Sequence, residues 1–112
     1  MDFQTPDSII QDLKQIRNES AKGVEALFVA EEELAKYELA FDRAYSEAIM
    51  ANQGTALDRQ ALAVLASSEA KFRRDIARAK VARVKTKLKL LSEHQMSVQT
   101  QARMVELTWR TS

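Results

Sequence analysis

The chain has no cysteine, one proline and two glycines among its 112 residues. Lacking cysteine, it has no disulfide, thiol nucleophile or thiolate metal site, a composition that fits a reducing cytoplasm. So few turn formers leave an all-β or α/β fold without its many chain reversals. No run approaches the ~20 apolar residues of a membrane span, and the opening Met1-Asp2-Phe3-Gln4-Thr5-Pro6-Asp7 is acidic rather than an apolar leader. A soluble, cytoplasmic protein without membrane contact is expected. There is no His-x-x-x-His, Glu-x-x-His or glycine-rich phosphate loop, so no enzyme, cofactor or metal is expected. His94, the single histidine, reads as solvated or interfacial, and Glu31-Glu32-Glu33 as surface.

What is present is helix-forming sequence: 46% hydrophobic and 29% charged residues, rich in Ala, Leu, Glu, Lys, Arg and Gln. Thr5 before Pro6 is suited to an N-cap followed by proline at the first helical position. From there a small or apolar residue recurs at alternating spacings of four and three: Ile9, Leu13, Ile16, Ser20, Gly23, Leu27, Ala30, Leu34, Tyr37, Phe41, Ala44 and Ala48. This is a heptad seam. Asn52-Gln53-Gly54-Thr55 reads as a turn, with Gly54 as terminator and Thr55 and Asp58 as a capping pair for the next helix.

The second helix reads Leu62, Leu65, Phe72 and Ile76 in one phase, then Val84, Leu88, Leu91, Gln95, Val98, Ala102, Val105 and Trp109 in another. The spacing of eight from Ile76 to Val84 predicts a departure from the heptad near Ala79-Lys80-Val81. The expected fold is all-α: one domain, residues 1–112, forming a long antiparallel two-helix hairpin of coiled-coil type. Helix 1 should cover about residues 6–52 and helix 2 about residues 56–109, joined by a turn at about 52–55. With equal rise in both arms, facing residues have numbers summing to about 109. That register sets Leu88 near Gly23 and Ser20, and Trp109 near Phe3.

The halves are opposite in charge. Residues 1–57 hold 5 Lys+Arg and 11 Asp+Glu, a balance of −6, and residues 58–112 hold 12 and 5, a balance of +7. In the hairpin register Glu25, Glu31, Glu32, Glu33 and Glu38 lie opposite Lys71, Arg73, Arg74, Arg78, Lys80 and Arg83, so cross-helix pairing accounts for much of the asymmetry. The remainder, Arg83, Lys85, Lys87 and Lys89 with neighbouring Arg78 and Lys80, is a candidate basic patch for nucleic acid, because neutralising phosphates needs no base recognition.

Apolar residues beside the seam exceed what one partner helix covers. Candidate interface residues are Val24, Phe28, Leu39, Tyr45, Ile49, Val81, Leu90 and Trp109, accompanied by Ile10, Val64, Met96 and Leu107. They predict a homo-oligomer, most simply a dimer forming a four-helix bundle, or a complex with an unidentified protein partner. Tyr37, Phe41 and Tyr45 form a stripe that packing explains. Its alternative use is to line a pocket between hairpins that sequesters a small anionic ligand.

The segment Glu-Glu-Glu-Leu-Ala-Lys-Tyr-Glu-Leu-Ala-Phe-Asp-Arg-Ala-Tyr (31–45), the Gly-Thr turn, Arg59-Gln60-Ala61 and Ser68-Glu69-Ala70-Lys71-Phe72 resemble small helical proteins of tailed bacteriophages. These are often encoded beside single-strand DNA-binding proteins and annealing recombinases. The likeness covers roughly residues 25–110 and carries no catalytic motif. It implies an accessory protein of phage DNA metabolism, or an inhibitor of a host system or defence, acting by binding in the host cytoplasm.

Overall fold

The computed structural model describes residues 5–111 and is an all-α helical hairpin. Its helices are α1 (Pro6–Ala51), α2 (Ala56–Ala66) and α3 (Ser68–Thr111). At the start of α1 the Ser8 N–H donates to Thr5 Oγ1 (3.2 Å) and the Thr5 N–H to Ser8 Oγ (3.1 Å). Two donors that lack intrahelical partners are thereby satisfied.

The turn is fixed by four side-chain bonds and one glycine. Asn52 Nδ2 donates to the Ala48 carbonyl, and Arg59 Nε and Nη2 both donate to that of Ile49 (3.0 and 2.8 Å). These bonds occupy carbonyls in the last turn of α1. Gly54 has φ +126°, open to glycine and costly for other residues. Thr55 then caps α2 by accepting the Asp58 N–H (3.1 Å).

The second arm is interrupted at Ser67, which is buried and has ψ near 3°. Its hydroxyl donates to the Ala63 carbonyl (2.7 Å), which also accepts the Ser67 N–H (3.0 Å). Serine bonding back onto the preceding turn is a common cause of such a local distortion. Backbone bonding persists on the other side, where the Lys71 N–H reaches the Ser67 carbonyl.

The chain separates into two compact units: residues 27–83, which contain the turn, and residues 5–26 with 84–111. In the second of these, Ile9, Ile16 and Val98 form a buried cluster against Leu13, Ala102 and Val105. In the same unit Gly23 meets Leu88: a Cβ built on Gly23 would lie 2.5 Å from Leu88 Cδ2. The expected neighbour is therefore found, in a register where 23 and 88 sum to 111 rather than 109. The pairing of Trp109 with Phe3 falls outside the described residues.

All twelve seam residues expected on α1 are buried or half-buried. The second arm differs. Its inward positions between 63 and 84 are Ala63, Ser67, Ala70, Arg74, Ala77 and Val81, all buried or half-buried. They continue with unbroken spacings of four and three into Val84, Leu88 and Leu91. Leu62, Leu65, Phe72 and Ile76 are exposed, at 43, 72, 65 and 42%. The expected heptad departure near Ala79-Lys80-Val81 is thus absent. The two apparent phases are two faces of one arm, a small-residue face turned inward and a large apolar face turned outward.

Candidate interaction surfaces

With seam positions lettered a and d, positions e and b follow on one side of a helix, and g and c on the other. Two cross-helix ion pairs show how the arms match. Glu38 and Arg78, both at e, lie 3.7 Å apart, and Glu33 and Lys80, both at g, lie 3.8 Å apart. Each seam flank is therefore built from like positions of both arms.

Arg73 and Arg74 pair locally instead, and Lys71 and Arg83 make no ion pair among the described residues. Arg73 bonds Glu69 in the preceding turn at 2.8 Å. In the register of Glu33 and Lys80, its opposite position on α1 is Ala40, which offers no carboxylate. Arg74 sits at a seam position with its side chain 14% exposed. Its guanidinium lies 4.3 Å from the Phe41 ring centroid and bonds Asp75 Oδ1 (3.2 and 3.1 Å). Phe41 in turn packs tilted against Tyr45, centroids 6.3 Å apart. Packing thus occupies Phe41 and Tyr45, and Arg74 covers the Phe41 ring with its charge balanced by Asp75, while Tyr37 lines a groove with Glu33, Arg73 and Lys80.

Of the candidate basic residues, Arg83, Lys85, Lys87 and Lys89 are exposed and make no ion pair among the described residues. Lys87 has Ala26 as its counterpart in the Glu33–Lys80 register, and both line a groove with Glu19, Lys22, Gly23 and Val84. The six residues do not form a single patch. Residues two apart on a helix are rotated by roughly 200°, so Lys80, Arg83 and Lys87 occupy the g/c side of α3 and Arg78, Lys85 and Lys89 the e/b side.

Among the candidate interface residues, Val24, Phe28, Leu39, Leu90 and Trp109 are exposed, while Tyr45 and Ile49 are half-buried. Val81 is a correction: it is buried at a seam position and is already packed within the hairpin. The residues that take its place are Leu62, Leu65, Phe72 and Ile76. The detectable signal was the heptad extrapolated backward from Val84, which lands on Val81, Ala77, Ala70 and Ala63. A further groove in residues 5–26 with 84–111 is lined by Pro6, Ile9, Ile10, Leu13, Val105 and Trp109 among others.

Among the described residues no group of three or more His, Asp or Glu is placed to hold a metal ion, and no helix is long and apolar enough to cross a membrane. No protein family, curated protein or solved structure matches the chain.

Proposed function

We propose that this chain is a non-enzymatic protein–protein interaction module that self-associates, with two hairpins side by side as its smallest assembly. One observation carries the proposal: alanine and serine take every seam position of residues 63–77 except Arg74, while Leu62, Leu65, Phe72 and Ile76 stand outside it. Burying such side chains is favourable by about 1.5–3 kcal/mol each, and a hairpin alone leaves that gain unrealised. Phe28, Val29 and Leu39 on α1 extend the exposed apolar surface, beyond the scattered single residues ordinary in a monomer. The resemblance to phage helical proteins supports a role as accessory or inhibitor in phage or host DNA metabolism or defence. Light scattering on the eluting protein should give a mass above the 12.7 kDa of one chain. A stable monomer at micromolar concentration contradicts the proposal.

A second reading is nucleic-acid binding, favoured by the absence of ion pairs at Arg83, Lys85, Lys87 and Lys89. Replacing the four with Gln should weaken oligonucleotide binding and flatten its salt dependence. This reading fails if the unmodified protein does not retard a labelled oligonucleotide at low salt.

A further inference from the structure

Within residues 27–83 the two seam flanks carry opposite net charge. The pairs Glu38–Arg78 and Glu33–Lys80 identify which positions share a flank. The e/b flank of Glu38 holds Glu31, Glu38, Asp42 and Asp75 against Lys71 and Arg78, two bases less four acids, or −2. The g/c flank of Glu33 holds Lys36, Arg43, Arg59, Arg73, Lys80 and Arg83 against Glu33, Glu47 and Glu69, six bases less three acids, or +3. Both flanks also expose large apolar side chains, Phe28 and Val64 on the first, Val29, Leu62 and Ile76 on the second.

We infer that copies of this chain join by unlike flanks, the acidic flank of one hairpin seating on the basic flank of the next. The inference rests on the self-association proposed above and names its contact. Pairing like flanks would set −2 against −2 or +3 against +3, whereas unlike flanks attract and bring the two exposed apolar sets together. Because the flanks lie on opposite sides of the seam, the contact is heterologous. Each added copy leaves one acidic and one basic flank open, and the assembly passes two copies, closing only if the rotation makes a ring.

Two charge-reversed full-length variants test this: Glu31→Lys with Asp42→Lys, and Arg43→Glu with Arg83→Glu. None of these four residues makes an ion pair among the described residues, and circular dichroism should show both variants as helical as the unmodified protein. Sedimentation velocity should show more than two copies for the unmodified chain and a 12.7 kDa monomer for each variant alone. Equimolar mixing should restore the assembly, since the reversed flanks complement each other. A closed dimer that one of the variants leaves intact overturns the unlike-flank contact while self-association stands. A monomeric unmodified chain removes both. If that monomer instead binds a labelled oligonucleotide and the Arg43→Glu, Arg83→Glu variant does not, the basic flank is a nucleic-acid face and the proposal is overturned.

Discussion

Small side chains take most of the inward positions in residues 63–81, Arg74 and Val81 being the exceptions. Ala63 and Ala77 are 0 and 2% exposed, while Phe72 between them is 65% exposed. Replacing Ala77 with Leu forces extra methylenes into a packed seam and should destabilise by about 1–3 kcal/mol, read from the urea midpoint. Phe72→Gln should leave the hairpin's own stability within about 0.5 kcal/mol, as exposed substitutions generally do, provided it is measured where the chain is dissociated. The opposite ranking would show that the arm is turned the other way. At Gly23 the limit is steric, because a side chain there meets Leu88. Gly23→Leu should cost about 1–3 kcal/mol by overpacking, and Leu88→Ala in the same chain should recover part of that loss.

The elements show why the sequence was legible in some stretches and misleading in others. On α1 the large apolar residues, the small residues and the heptad spacing agree, so the seam from Ile9 to Ala48 could be read directly. The caps at Thr5 and Thr55 and the turn glycine were legible because each has a local backbone requirement. In residues 62–76 of the second arm the largest apolar residues lie on the outer face, and following them produced a false change of phase. The exposed side of that arm was misread for this reason, whereas the expected basic patch divides because its residues, two or three apart in sequence, fall on opposite sides of the helix. Ser67 carried no warning either, since serine is tolerated in many helices and its effect depends on burial. The turn depends on Arg59, whose two bonds to the Ile49 carbonyl join the end of α1 to the start of α2. Arg59→Ala should destabilise by about 1–2 kcal/mol, in line with hydrogen bonds from a charged donor. Arg59→Lys should recover little, lacking the two-pronged geometry. A melting curve unchanged in both variants would show that the clamp contributes nothing.

For the whole molecule, the consequence of a small-residue seam is an apolar exterior that one hairpin cannot cover. The two ion pairs across the seam, at 3.7 and 3.8 Å and well exposed, contribute about 0.2–1 kcal/mol each and serve register more than stability. Under the proposed self-association, stability is tied to assembly, and the unfolding midpoint should rise with protein concentration. The most direct measurement is sedimentation equilibrium of the unmodified chain and of Leu62→Gln with Ile76→Gln, two exposed residues, over a range of micromolar concentrations. The account predicts a mass well above 12.7 kDa for the unmodified chain, falling toward that of one chain in the variant while helicity is retained. A 12.7 kDa species at every concentration, for both proteins, would contradict it.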